Sequence, residues 1–238
     1  MTKMTYAIEN RVAVITFDDG KMNVINWDFI NELNESLDQA TSDKAGALIL
    51  TTGRPGIFSA GLDVKLLPTL TLMNHYRFSH AFAETMLRLY QFPIPTVAAY
   101  AGHAIAGGAL MSFACDRFIA VDGPYKIQMN EVVNNMVLPS WIALICKSSI
   151  PHRWQREALL HARAYSPREA FDRQIVDTLV EDGGDVMEEA KAVAREFLKL
   201  NSRAYADTKD FLLREDVNRV LGIMEKEFME VRERRGDA

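Results

Sequence analysis

Short apolar runs alternate with segments of helical apolar spacing over most of the chain. The run 11–17 is apolar on both faces, which is typical of a central strand. Residues 27–41 place Ile30, Leu33 and Leu37 on one face of a predicted helix. Predicted strands are 6–10, 11–17, 47–52, 96–100, 116–121 and 175–180, and predicted helices are about 27–41, 70–91, 140–147 and 152–162. This alternation indicates an α/β fold with a largely parallel sheet.

After residue 180 the sequence no longer alternates between strand and helix patterns. From Asp185 onward the pattern predicts only helix, in two segments broken near Asn201. Apolar residues of the last segment repeat at alternating spacings of four and three, a stripe typical of packing on the chain's own core or on a sister subunit. The stripe comprises Val217, Leu221, Met224, Phe228 and Val231. We therefore divide the chain into a core over residues 1–180 and a helical region over 181–238.

Composition narrows the functional classes. The 238 residues are 48% hydrophobic with a formal net charge of -5, which favours a globular protein and argues against nucleic acid as the main partner. No apolar run reaches membrane-spanning length, and the acidic start of the chain does not resemble a signal peptide. Cys115 and Cys146 lie in apolar stretches without metal-ligand spacing. We expect a reducing, cytoplasmic location and no membrane partner.

Glycines interrupt the chain between the strand 96–100 and an apolar helix that follows them. Gly102, Gly107 and Gly108 mark a corner where backbone N–H groups at a helix start can face a ligand. A phosphate loop would need Lys and Ser or Thr after the glycines, and Leu110 stands there with Ala109 instead. Two interpretations remain: an oxyanion site made of neutral amides, or close packing of a helix on a strand.

A second loop, residues 54–64, also follows a predicted strand. A backbone N–H site is expected before Gly61, and a helix is expected to start near Leu62. Asp63 suits either the start of that helix or a ligand contact. His75 and His80 lack the i, i+4 spacing of metal ligands, so no metal site is predicted. His103 is a weaker candidate for a catalytic base, because nothing near it in sequence forms a nucleophile pair.

These two motifs together resemble the crotonase superfamily of enoyl-CoA hydratases and isomerases. Phe58-Ser59-Ala60-Gly61-Leu62-Asp63 matches one family motif, and the stretch from Gly102 to Asp116 matches the other. The resemblance implies a spiral of ββα units with a C-terminal helical trimerisation region. It places the oxyanion N–H groups on Ala60 and Gly107, holding the thioester oxygen of an acyl-CoA. It implies substrate contacts at Gly61, Leu62, Asp63, Val64, Leu110 and Asn130.

The same resemblance implies which residue moves the proton. Family hydratases use two glutamates, and Leu110 occupies the position of one, whereas Glu131 matches the other. A single glutamate beside Asn130 resembles the Δ3,Δ2-enoyl-CoA isomerases of fatty acid β-oxidation, in which one carboxylate moves a proton from C2 to C4. The alternatives are a hydratase using Glu131 with another water-orienting group, and a crotonase-fold scaffold without catalysis.

The resemblance also sets the expected partners. It implies no metal and no redox cofactor, with coenzyme A present only as part of the substrate. It further implies a homotrimer, or two trimers paired into a hexamer.

Overall fold

The computed structural model describes residues 3–235 of the chain. Helices and strands are numbered along the sequence. The strands are β1 (Met4–Glu9), β2 (Val12–Phe17), β3 (Ala47–Thr52), β4 (Gly56–Ser59), β5 (Thr96–Tyr100), β6 (Gly102–Ile105), β7 (Arg117–Val121), β8 (Ile127–Gln128) and β9 (Thr178–Val180). The helices are α1 (Trp27–Ser42), α2 (Leu72–Tyr90), α3 (Gly107–Phe113), α4 (Ser140–Ser149), α5 (Pro167–Asp172), α6 (Val186–Phe197) and α7 (Ser202–Arg235).

Six strands form the main sheet in the order β1-β2-β3-β5-β7-β9. Strands β1 and β2 are antiparallel, and every other neighbouring pair is parallel. Successive side chains of a strand point to opposite faces. Leu48 and Leu50 of β3 therefore enter the main core, whereas Ile49 lies on the opposite face under α6. The predicted parallel α/β architecture is confirmed.

A second sheet, absent from the sequence-based prediction, has the strand order β4-β6-β8, and both of its pairs are parallel. Its strands are only four, four and two residues long. The glycine corner therefore follows β6, and not the predicted strand 96–100 directly. Because parallel strands share one carboxyl-terminal edge, the loops after β4, β6 and β8 converge.

The expected helix start near Leu62 is wrong. Leu62 instead pairs with Ile25 in an isolated parallel bridge, and α2 begins only at Leu72. Pro68, in the short 3₁₀ turn Leu67–Thr69, has no N–H and would interrupt a helix that started at Leu62. The predicted helix 152–162 is likewise replaced by a 3₁₀ turn over His152–Trp154 and a π-helical turn over Arg156–Leu160.

The C-terminal helices close the fold. Helix α6 covers one face of the main sheet, and α7 packs against α4 and α2. Val217, Val220 and Met224 of α7 are buried in the main core. Of the predicted stripe, Val217 and Met224 are thus buried in the chain's own core, whereas Leu221, Phe228 and Val231 are half-buried. No helix of residues 3–235 combines the length and the apolar character that crossing a membrane requires.

Candidate active site

The corner between β6 and α3 is held in an unusual backbone conformation. Ala106 has a φ of 50° and donates its amide to the Gln128 carbonyl at 2.7 Å. Gly108 allows α3 to start against the end of β4, because a Cβ there would lie 2.3 Å from the Ser59 carbonyl oxygen. The amide of Gly107, the first residue of α3, has no hydrogen-bond partner in the described chain.

The loop after β4 leaves a second amide free. Its amides are paired one by one: Ala60 donates to the Met22 carbonyl at 3.0 Å, Gly61 to the Ser59 hydroxyl at 3.1 Å, and Asp63 to the Ile25 carbonyl at 3.0 Å. The Leu62 amide is left without a partner among residues 3–235. Because backbone N–H groups are normally paired when they are not facing water, the free Leu62 amide marks a place for an external acceptor.

The prediction for Ala60 is therefore wrong. Its N–H already bonds to Met22, so it is not free to hold an oxyanion. Gly61 adopts a φ of 82°, and a Cβ at this position would lie 2.7 Å from the Ile105 carbonyl and 3.1 Å from the Gly107 nitrogen. The loop thus runs directly against the start of α3, with Leu62 next to that contact. No sequence pattern singles out Leu62, because the bridge to Ile25 that leaves its amide free is formed only in the fold.

Glu131 lies at the same edge, three residues after β8. The residue is 7% exposed, and its Oε2 atom is buried without a hydrogen-bond partner. Burial raises the pKa of the Glu131 carboxyl above its ordinary value of 4.5, and a backbone hydrogen bond partly opposes that shift. The buried Cys146 thiol of α4 lies within its electrostatic reach, and the carboxylate adds to the burial that raises the pKa of Cys146.

The structure therefore brings three groups to one place. Leu62, Gly107 and Glu131 follow β4, β6 and β8 by three, two and three residues. The pairing of Ile105 with Gln128 and the bond from Ala106 to Gln128 fix the last two loops side by side. Two free amides can stabilise a developing oxyanion, and a carboxyl group with one unpartnered oxygen can move a proton.

The other predicted contact residues occupy diverse positions. Leu110 is fully buried on α3, and Asn130 is half-buried, with its carbonyl accepting from the Asn134 side chain at 2.9 Å. Asp63 accepts from the Lys65 amide at 3.0 Å, so its side chain stabilises a turn, and Val64 is 72% exposed. Their contacts with a substrate stay predictions.

His103, which was considered as a catalytic base, lies within β6. Its Nδ1 accepts from the Lys126 amide at 3.0 Å, so this nitrogen already has a hydrogen-bond partner. Among residues 3–235, no group of three or more His, Cys, Asp or Glu is placed to hold a metal ion.

Comparison with known proteins agrees with this geometry. The family described as enoyl-CoA hydratase/isomerase matches residues 7–227. The chain is 32% identical to the human mitochondrial enoyl-CoA delta isomerase 1 over 212 residues, which cover 88% of this chain and 70% of that protein. It is 30% identical to a putative enoyl-CoA hydratase of Thermus thermophilus over 214 residues, covering 88% and 83%.

A solved structure shows the same fold. The crystal structure of human mitochondrial delta3-delta2-enoyl-CoA isomerase superposes with a TM-score of 0.91 at 29% identity, covering 96% of this chain and 90% of that one. The chain belongs to the enoyl-CoA hydratase/isomerase family, and the crotonase-like α/β fold implied by the sequence resemblance is confirmed. It is an enzyme of that family, whose members act on coenzyme A thioesters.

Proposed function

We propose that this protein is a Δ3,Δ2-enoyl-CoA isomerase that moves the double bond of a 3-enoyl-CoA to the 2-trans position. The convergence of Leu62, Gly107 and Glu131 on one edge of the small sheet carries the proposal. The ionised Glu131 takes a proton from C2 and returns it at C4. The thioester oxygen, which becomes negative in between, accepts hydrogen bonds from the Leu62 and Gly107 amides.

The burial of Glu131 supports this assignment. A carboxyl group whose pKa is raised by an apolar environment is a stronger base than a hydrated one, and it can still release its proton to carbon. The groups needed are all supplied by the chain, with coenzyme A entering only as part of the substrate. No metal or redox cofactor is required by a 1,3-proton shift, since no net oxidation occurs.

Hydration is the second candidate function, because hydratase names occur among the relatives. Some relatives, such as the Thermus protein, carry hydratase names. Adding water requires a group that activates it, and two carboxylates do this in family hydratases. Helix α3 has no acidic residue over Gly107–Phe113, and Leu110 is fully buried in it. The isomerase is therefore favoured over the hydratase.

A product assay tests the proposal. Matched 3-enoyl-CoA and 2-trans-enoyl-CoA substrates of short, medium and long chain would be incubated with the protein. Absorbance would follow the conjugated thioester, and mass spectrometry would follow 3-hydroxyacyl-CoA. We expect migration to be faster than hydration at every chain length turned over. Hydration at an equal or greater rate contradicts the isomerase, and binding without any turnover favours a non-catalytic scaffold.

We also propose a homotrimer, or a hexamer of paired trimers, on the basis of the family resemblance. Light scattering at micromolar concentration tests this. A monomer under those conditions contradicts it.

A further inference from the structure

The segment that joins Glu131 to α4 folds back on the residue that it follows. The Asn134 and Met136 amides both donate to the Glu131 carbonyl, at 3.0 and 2.8 Å. Val133 and Val137 are 67% and 57% exposed, whereas Leu138 packs against the main core just before α4 begins. The position of this loop therefore depends in part on what holds its far end, where α4 begins.

That far end is fixed by a residue from another helix. Helix α4 starts at Ser140 directly after Pro139, and no side chain of its own capping residue accepts a hydrogen bond. The Glu227 carboxylate of α7 takes this place. It accepts the Ser140 amide at 3.0 Å through Oε2 and the Ser140 hydroxyl through Oε1. A negative charge at a helix N-terminus is also favoured by the helix dipole.

The backbone around Glu227 is itself well anchored. One and two turns earlier, Met224 and Val220 are buried in the main core. The next residue, Phe228, packs edge-on against His75 and Tyr76 in the first turns of α2, with ring centroids 5.6 and 5.2 Å away. Adjacent residues of α7 therefore contact two different elements, α4 and α2, that flank the candidate site.

Helices α4 and α2 also contact each other close to the Gly107 amide. Trp141, the residue after Ser140, packs edge-on against Phe82 of α2 at 5.3 Å between ring centroids. The tip of the Phe82 ring lies 3.1 Å from the position a Cβ on Gly107 would take. A shift at the start of α4 would therefore reach both the loop of Glu131 and the packing beside Gly107.

We propose that Glu227 is a positioning residue for the reaction at Glu131, acting by capping α4 from α7. This inference rests on the proposed function for its kinetic consequence, but not for its structural one. Glu227 does not touch the reacting atoms. It fixes the far end of the loop that carries the base, and so makes the C-terminal helix part of the catalytic apparatus.

Kinetics of three variants test the proposal. Glu227→Ala removes both bonds, Glu227→Gln keeps one acceptor oxygen, and Ser140→Ala removes only the hydroxyl bond. We expect kcat of Glu227→Ala to fall by roughly ten- to a hundredfold, because small displacements of a catalytic group are costly. KM should change less than threefold, and Glu227→Gln should restore part of kcat. Glu215→Ala, an exposed glutamate on the same helix, is the matched control.

A double-mutant cycle isolates the contact itself. If Glu227 acts through Ser140, Ser140→Ala should lower kcat in the parent but have little further effect in Glu227→Ala. Equal effects of Ser140→Ala in both backgrounds would overturn the proposal. So would a loss confined to KM, or a Glu227→Ala enzyme with parental kcat.

Hydrogen exchange separates this inference from the proposed reaction, since it needs no substrate. We expect the Ser140, Asn134 and Met136 amides to exchange about fivefold faster in Glu227→Ala, the scale of losing a helix cap. Unchanged exchange overturns the positioning role whatever the enzyme catalyses. Faster exchange in a protein without isomerase activity would leave the loop anchor supported and the proposed function contradicted. If Glu227→Ala does not fold, the same measurement on Glu227→Gln decides.

Discussion

Two carboxylates lie near the two ends of α3, and they differ in their hydrogen-bond partners and in whether they border an open cleft. Asp116, beyond the C-terminal end, borders a cleft of about 640 Å³ and accepts hydrogen bonds from the Thr96 amide, the Thr96 hydroxyl and Lys209 at 2.8 to 2.9 Å. Glu131, near the N-terminal end, does not line this cleft, and one of its oxygens has no hydrogen-bond partner.

The contrast concerns the hydrogen-bond partners of the two side chains. The Lys209 ammonium and the Thr96 donors all bond to Asp116, which ties α7 to the start of β7. The Oε2 atom of Glu131 is buried without a partner, which is costly for a charged oxygen, and a proton or a polar substrate atom relieves that cost. We therefore assign chemistry to Glu131, and we assign to the Asp116–Lys209 pair the role of fastening α7 to the sheet.

The largest expected effect is a loss of turnover on substitution of Glu131. Glu131→Gln keeps the shape of the side chain but cannot shuttle a proton, so kcat should fall by roughly two to four powers of ten. Binding of 3-enoyl-CoA, measured by calorimetry, should stay within a few-fold of the parent. Retention of most of the turnover would show that another group moves the proton.

The corresponding substitution of Asp116, near the C-terminal end of α3, should lower the free energy of unfolding and leave the reaction rate nearly unchanged. Asp116→Asn leaves the Lys209 ammonium, whose side chain is 8% exposed, without its counter-charge. We expect unfolding in urea to show a loss of about 3 kcal/mol, while kcat changes little. Asp207→Asn removes an exposed pair with Arg203 and should cost less than about 1 kcal/mol. Equal losses in the two variants would argue against the fastening role.

A substitution of Gly61 tests whether the Leu62 and Gly107 amides must lie close together. Gly61→Ala adds a methyl group where φ is 82° and where the Ile105 carbonyl and the Gly107 nitrogen lie 2.7 and 3.1 Å away. The loop or α3 must then shift, and turnover should fall by about a hundredfold, as when one oxyanion donor is lost. Gly222→Ala, in an open position on α7, is the control and should keep parental kinetics.

Much of the fold followed from periodicity, because β2, β3, β5 and β7 of the main sheet are largely apolar runs of five or six residues. The short strands β4, β6 and β8 escaped prediction, since two to four residues carry too little pattern to show alternation. Their parallel pairing is a long-range property, and it is this pairing that brings the three site loops together. The family motifs supplied Gly107 and Glu131, which local composition alone could not have distinguished from packing residues.

The donor in the loop after β4 shows where motif transfer failed. Sequence placed it on Ala60, two residues before the amide that is actually free. Which amide of this loop is paired depends on Met22 and Ile25, residues far away in sequence that come close only in the fold. The free Leu62 amide is therefore evident only from the backbone hydrogen bonds of the folded loop, around a bridge that no sequence motif indicates.

The smallest expected effect is a shift along the pH axis. Burial raises the pKa of Glu131 above 4.5, so kcat/KM should rise with pH through an apparent pKa above that value, as the base ionises. The effect on folding has the opposite sign. The folded state binds this proton more tightly than the unfolded chain, so the contribution of Glu131 to stability falls as pH increases from the ordinary glutamate pKa to the raised one.

Comparing melting temperatures of the parent and Glu131→Gln across that range isolates this contribution. The difference should favour Glu131→Gln increasingly as pH rises, and then level off above the raised pKa. A constant melting-temperature difference between the parent and Glu131→Gln across the range would mean that Glu131 is hydrated in solution, and that its unpartnered oxygen is not the source of its reactivity.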